Sequence, residues 1–290
     1  MPELPEVETV RRGLEKLILT KKVQSVAHDT PKSFPNDEHT VQTFLVGASI
    51  WAVRRRAKVL LIDLSTNYTL VIHLKMTGQL VFRGEQVFGA GHPSDSLVGE
   101  LPDRSTRVVI EFSDGSHLYF NDQRKFGWMK LFPTLEVPNI DFMQKVGPEP
   151  LEELFTAAEF IPRVRRRSGT TIKAAILDQT VLAGVGNIYA DESLWGARIH
   201  PATRVKNVSD TELVELLKEI KYVMNLSIEK GGSTDRNYVN AEGKKGSYID
   251  FARVFRREGQ ACPRHPDVEI IKLKVAGRGT HICPVCQVLK

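Results

Sequence analysis

Two groups of residues in this chain have the types and spacing to do chemistry. The first is Pro2-Glu3, in the opening MPELPEVETV. Removal of Met1 would leave a secondary amine beside a carboxylate. Such an amine can attack an aldehydic sugar carbon to give a covalent iminium, while the carboxylate moves the accompanying protons. Alone, the pair also reads as an ordinary N-terminus ahead of a helix. The second group is Cys262-x-x-His265 and, seventeen residues on, Cys283-x-x-Cys286. Two short-spaced pairs on two turns suit tetrahedral zinc, and four protein ligands fill its shell, so this metal is expected to be structural and not catalytic. His281 competes as the fourth ligand, but two residues from Cys283 it fits paired turns less well.

Weaker signals accompany these. Arg278 sits in Val275-Ala276-Gly277-Arg278-Gly279-Thr280, the expected tip of a hairpin, where a glycine-flanked guanidinium can fork two phosphate oxygens. Ala183-Gly184-Val185-Gly186-Asn187 separates two helical patterns and could turn backbone N–H groups and an amide towards a nucleic-acid backbone. Basic residues cluster in 54–58, in 163–167 and at Arg253, Arg256 and Arg257, and the formal net charge is +5. Three separated clusters favour a polyanionic partner.

The elements that must position these residues are legible in the pattern. Leu4, Val7, Val10, Leu14, Leu17 and Ile18 recur on one face of an N-terminal helix, with Pro5, Glu6 and Glu8 in its first turns and Pro2-Glu3 just outside it. From 23 to 132, short apolar runs such as KVLLIDLS, YTLVIHLKM, RVVIEF and SHLYFND alternate with turn signals, as in an antiparallel sandwich or barrel. Residues 84–104 read as a loop and 133–146 as a linker. Helical patterns then take over, one of them starting at Ser209 or Asp210 and ending near Gly231. The polar stretch GGSTDRNYVNAEGKKGSY reads as a mobile loop. With 290 residues, 41% hydrophobic and 26% charged, the chain has the composition of a globular protein of two domains. Its apolar runs are too short to span a bilayer and the acidic start lacks a signal peptide's flanks, so a cytoplasmic protein without membrane contact is expected.

In MPELPEVETV, HLKMTGQL, NDQRKFG, IKAAILDQTVLAGVGNIYADE, GGSTDRNY and GRGTHICPVCQ, taken in order, the chain resembles formamidopyrimidine-DNA glycosylase from end to end. The resemblance implies an α+β multidomain fold. Residues 1–132 would form an N-terminal antiparallel β-sandwich with its N-terminal helix, 133–146 a linker, 147–250 a helix-two-turn-helix domain with a lesion-side loop, and 251–290 a zinc-finger β-hairpin. It implies a monomeric enzyme, nucleoid-associated through DNA binding, that removes 8-oxoguanine and formamidopyrimidines from damaged double-stranded DNA and cleaves the abasic site by β,δ-elimination. One structural zinc is its only expected cofactor, held by Cys262, His265, Cys283 and Cys286, with no catalytic metal or organic group.

Motif by motif, the resemblance makes Pro2 the nucleophile, Glu3 the general acid–base, and Lys58 and Arg278 phosphate contacts at the reacting sugar. Met76, Arg124 and Phe126 would fill the void left by the extruded nucleotide, with Arg124 reading the orphaned cytosine. Lys173 and Asn187 would hold the flanking backbone. Two departures stand out: His265 replaces the usual second cysteine, and Arg104-Ser105-Thr106-Arg107 lacks the family's common histidines, which leaves Arg107 to remake a phosphate contact. Lys58 and Arg278 are expected at the surface. The alternatives are an endonuclease VIII-like enzyme for oxidised pyrimidines, against which Leu4 and the GGSTDRNY loop argue, and a catalytically silent DNA-binding protein.

Overall fold

The structure, a computed structural model, is described for residues 2–92, 94–233 and 248–290. The GGSTDRNY motif therefore lies mostly outside the described residues. In chain order the elements of the first part are α1 (Leu4–Ile18), β1 (Val23–His28), α2 (Glu38–Phe44), β2 (Ile50–Arg56), β3 (Val59–Leu64), β4 (Tyr68–His73), β5 (Gly78–Arg83), β6 (Val87–Gly91), β7 (Thr106–Phe112), β8 (His117–Asp122) and β9 (Trp128–Pro133). Then follow α3 (Asp141–Lys145), α4 (Ala157–Arg165), α5 (Ile172–Leu177), α6 (Asn187–Gly196), α7 (Asp210–Glu229), β10 (Ala261–Cys262), β11 (His265–Glu269), β12 (Ile271–Val275) and β13 (Arg278–Ile282). The described residues divide into two compact units, 2–144 with 230–233, and 145–229 with 248–290.

The first unit is an antiparallel sandwich. One sheet runs β1-β7-β8-β5-β6 and the other β2-β3-β4-β9. Val53, Leu60, Ile62 and Ile72 of the second sheet share a core with Leu80, Phe82, Ile110, Phe112 and Phe120 of the first, and Val7, Val10, Leu14 and Ile18 of α1 join them. Alternation along the strands explains this: Leu60 and Ile62 point into that core, while Val59 and Leu61 of the same strand turn to the opposite face. That opposite face is covered by Val137, Ile140, Phe142 and Met143, so residues 133–146 are not a bare linker but an apolar cover carrying α3. The 84–104 stretch likewise differs from a plain loop. It holds β6, paired with β5 from Gln79↔Gly91 to Arg83↔Val87, because VFGAG offers small residues where α1 approaches. At Gly13 a Cβ would lie 2.2 Å from the Phe88 ring, so only glycine lets helix and strand pack this closely.

The second unit is built around α6. Tyr189, Ala190, Leu194 and Trp195 are buried, and so are its acids Asp191 and Glu192, which are fully shielded from solvent. Helix α7 begins at Asp210, with Ser209 and Glu212 exchanging cap hydrogen bonds, and buries Leu213, Leu216, Leu217 and Ile220. Between α5 and α6, the turns at 178–186 are pinned by Gln179, whose amide donates to Val185 O (2.8 Å) and accepts from Gly184 N–H (2.9 Å). Two hairpins, β10-β11 and β12-β13, complete the unit. No helix among the described residues is long and apolar enough to cross a membrane.

Candidate functional site

Pro2 is buried and Glu3 is 4% exposed; both lie outside α1, with Glu3 as its N-cap in extended conformation. Glu6, three residues on, accepts the Glu3 N–H at 2.8 Å through one oxygen and the Ser233 N–H at 2.9 Å through the other. The N-terminus is thus fixed to Ser233, the third residue of the GGSTDRNY motif. Lys58 occupies the two-residue turn between β2 and β3, where Ala57 is left-handed (φ 52°). A chain of contacts ties this turn to α1: Glu8 accepts from Arg55 Nε (3.1 Å), and Arg55 Nη1 donates to Ala57 O (3.0 Å). Burial pushes the Glu8 carboxyl up, but Arg12, Arg11 and Arg55 together pull it below its ordinary range, so this tie carries a charge. Contrary to expectation Lys58 is not a surface residue, being 8% exposed.

Met76, Arg124 and Phe126 come from two loops at neighbouring strand ends. Each apolar side chain follows a left-handed lysine, Lys75 (φ 51°) before Met76 and Lys125 (φ 55°) before Phe126. A non-glycine residue in this region costs roughly 1 kcal/mol or more and needs support. Under the first loop, His73 Nδ1 accepts the Lys75 N–H at 3.1 Å. Burial, with the charges of Lys75 and Lys58, lowers the His73 pKa to about 3, so the ring stays a neutral acceptor. Under the second loop lies Asp122, wholly buried, which takes the Phe126 N–H (2.8 Å) and Gly127 N–H (2.6 Å) on one oxygen. Phe126 is 43% exposed and carries the Arg124 guanidinium 4.8 Å above its ring.

Arg107 points inward. It is 6% exposed, and its guanidinium donates to Asp122 O (2.8 Å), Arg104 O (2.6 Å) and the Asp29 carboxylate. The guanidinium is therefore engaged within the protein, where the sequence led to the expectation of a phosphate contact. Much of the basic clustering is also absorbed within the units. Arg54 pairs with Asp63, Arg165 donates to Val205 O and Val208 O, Arg167 pairs with Asp178, and Arg253 bridges Glu192 and Glu219.

In the second unit Asn187 opens α6, and its amide donates to Gly279 O at 3.0 Å, next to exposed Arg278 at the start of β13. Lys173, by contrast, is wholly buried: its ammonium meets Asp191 Oδ1 at 2.6 Å and Thr280 Oγ1 at 2.7 Å. The other Asp191 oxygen accepts from the His281 backbone N–H (2.9 Å) and lies 3.0 Å from its Nδ1. His281 therefore faces Asp191 and not the cysteines. Lys173 and Asp191 hold β13 at the register that presents Arg278.

Cys262, His265, Cys283 and Cys286 converge, with all four ligand atoms within 4.8 Å of one another. Cys262 Sγ and Cys286 Sγ are 3.7 Å apart, and His265 Nδ1 lies 3.1 Å from Cys286 Sγ and 3.8 Å from Cys283 Sγ. Zn–S bonds of 2.3 Å in a tetrahedron put sulfurs about 3.8 Å apart, so this donor set can hold a metal of that kind. The cluster is buttressed by Arg264, stacked 3.9 Å over Trp195 and donating to Trp195 O and Gly196 O, and by Gln287, which accepts the Cys283 N–H.

These arrangements have counterparts in known proteins. The formamidopyrimidine-DNA glycosylase N-terminal domain matches residues 1–129, and the formamidopyrimidine-DNA glycosylase H2TH domain matches 146–238. The chain is 40% identical to formamidopyrimidine-DNA glycosylase of Pelotomaculum thermopropionicum over the full length of both, and 42% identical to that of Streptococcus pyogenes over 99% of this chain and 98% of the relative. The chain belongs to the formamidopyrimidine-DNA glycosylase family. The Lactococcus lactis member in complex with DNA containing an abasic site superimposes with a TM-score of 0.86 at 34% identity over 99% of each chain. A variant of it with Fapy-dG DNA gives 0.87 at the same identity, covering 99% of this chain and all of the other. The protein is accordingly a base-excision-repair DNA glycosylase of a family that combines base removal with abasic-site lyase activity.

Against the formamidopyrimidine-DNA glycosylase pattern, sequence reasoning passed over Asp122, His73, Asp191 and Glu192. Glu192 is fully buried and accepts the N–H groups of Arg253, Val254 and Phe255, each at 2.8 Å. A signal existed for the last two: adjacent acids inside an apolar helical run, as in NIYADESLW, must be paired if the helix is buried.

Proposed function

We propose that Pro2 and Glu3 carry out the glycosylase and lyase steps on oxidised purines in double-stranded DNA, 8-oxoguanine opposite cytosine and ring-opened formamidopyrimidines foremost. The observation that carries this reading is the seat of the N-terminus: Pro2 and Glu3 precede the helix, both buried, and a reciprocal capping box between Glu3 and Glu6 fixes them at its start. Once Met1 is removed, the Pro2 nitrogen attacks C1′ and the glycosidic bond breaks, its electron pair leaving with the base. Glu3 donates a proton as the sugar ring opens to the iminium, then relays protons during the two eliminations that release the 3′ and 5′ phosphates. Lys58 and Arg278 neutralise phosphate charge near the sugar, and Asn187 holds the flanking backbone with Lys173 as a post behind it. Met76, Arg124 and Phe126 fill the space of the extruded nucleotide. The protein acts as a monomer.

Zinc fits the Cys262, His265, Cys283 and Cys286 donors by their chemistry and spacing, and its part is to hold the hairpins together, not to activate water. The deciding experiment is borohydride trapping on an 8-oxoguanine duplex. Mature wild-type protein should give a covalent adduct, and Pro2→Gly or a retained N-terminal extension should abolish it. Mature protein that gives no adduct is a silent binder, and preferential cleavage of thymine glycol would assign the chain to oxidised pyrimidines instead.

A further inference from the structure

We propose that Asp122 is a positioning residue that joins the loops of Met76 and of Arg124 and Phe126 into one inserting unit, and so sets discrimination of the base opposite the lesion. This rests on the void-filling roles given above.

Asp122 ends β8 opposite Gly78, the first residue of β5, so it stands where both loops leave the sheet. One carboxylate oxygen accepts from Phe126 and Gly127. The other accepts from the Thr77 hydroxyl and, at 3.2 Å, from the Arg124 N–H, which also reaches Thr77 Oγ1 at 3.0 Å. Thr77 is the residue after Met76. A single side chain thus receives the backbone of Arg124 and Phe126 and the neighbour of Met76. Its own backbone is fixed on both sides, by N–H to Ser105 O (2.7 Å) and by C=O from Arg107 Nε (2.8 Å).

An acceptor facing four donors acts as an ionised carboxylate, since a protonated acid or an amide would set a donor against donors. Charge-assisted bonds of this kind are roughly twice as strong as neutral ones. Gly127 is part of the device, because a Cβ there would lie 3.1 Å from Asp122 Oδ2 and 2.7 Å from the Phe120 ring. If the loops were independent, each would lose its own backbone freedom on entering the duplex, at about 1–2 kcal/mol per residue ordered. Tied to one buried carboxylate, they enter already ordered, and Arg124 meets the orphaned base in a geometry that Met76 and Phe126 help to define.

The test uses full-length mature protein and three measurements. In wild type, Met76→Ala and Phe126→Ala should be non-additive in single-turnover cleavage of 8-oxoguanine opposite cytosine. In Asp122→Asn their effects should become additive, and the ratio of cleavage opposite cytosine to that opposite adenine should fall about tenfold, the value of one good base contact. Trapping on a single-stranded abasic oligonucleotide, which presents no opposite base, should change little. Because Asp122→Asn can fail to fold, Thr77→Val provides the second variant: it removes the hydroxyl that links the Met76 loop to Asp122 and to the Arg124 N–H, and should abolish the same non-additivity in a protein that still folds and still traps on the single-stranded oligonucleotide. Folded Asp122→Asn and Thr77→Val proteins that keep both the non-additivity and the opposite-base ratio would overturn the inference. Loss of single-stranded trapping by wild type would instead sink the proposed function.

Discussion

His73 is the residue whose chemistry differs most from its type's ordinary behaviour. Its Nδ1 supports the left-handed Lys75 in front of Met76, which requires a neutral ring, and the ring sits among Trp128 and Phe142 with Lys58 and Lys75 nearby. Folded, it titrates near 3; in the unfolded chain, near 6.5. Below about pH 6.5 the unfolded chain takes up a proton that the folded protein does not. Stability is therefore unaffected by this group above pH 6.5 and falls as pH drops towards 3, by up to about 1.4 kcal/mol per pH unit. His73→Asn keeps an acceptor but does not titrate, so urea midpoints measured from pH 7 to 4 should converge towards, and then exceed, wild type. Parallel profiles would remove the assigned role. Sequence reading singled out Met76, Arg124 and Phe126 from their motifs, but not His73 and Asp122 beneath their loops. Motifs mark side chains that meet a partner, whereas an anchor is defined by which backbone N–H groups reach it, and those are known only once the loops are folded.

At the scale of elements, α1 shows how packing overrides propensity. Gly13 lies mid-helix, where replacing it with alanine would stabilise an isolated helix by about 1 kcal/mol. Here the new Cβ would fall 2.2 Å from the Phe88 ring, and overpacking a closed core costs typically 1–3 kcal/mol. Gly13→Ala should therefore lower the melting temperature, and Phe88→Leu in the same chain should recover part of the loss. Recovery absent, with α1 intact by circular dichroism, would locate the cost elsewhere. The same contact explains what the sequence concealed. The α1 apolar face, the strands from KVLLIDLS to SHLYFND, and α7 from Asp210 were legible because each repeats one period over several residues. Strand β6 was not, since VFGAG is glycine-rich and its strand identity comes from pairing with β5 beneath α1. Residues 133–146 misled for the opposite reason: proline and polar residues mask Val137, Ile140, Phe142 and Met143, whose common face appears only when they cover the outer side of β3 and β4.

At the scale of the whole chain, the two units derive their order from different sources. The first has a continuous apolar core between two sheets and α1. The hairpins of the second rest on a small cluster of Trp195, Val254, Ile270 and the three cysteines, too little apolar surface to fix them without further ties. Those ties are unequal. The β10-β11 hairpin supplies Cys262 and His265 and is joined to α6 mainly through Arg264 on Trp195. The β12-β13 hairpin supplies no metal ligand, and β13 is held by the buried pair Lys173–Asp191 through Thr280 and His281. Breaking such a pair by removing one partner costs about 3–5 kcal/mol, since it strands a buried charge. Metal removal should therefore loosen the chain in a graded way. After chelation, hydrogen exchange should accelerate first at 261–269 and 283–287, less at 278–282, and not at all in the strands of the sandwich. In Lys173→Met, chelation should release 278–282 together with 261–269, because the second tie is gone. Uniform exchange across all of these segments on chelation of wild type would mean that the metal alone holds β13 and Arg278 in place.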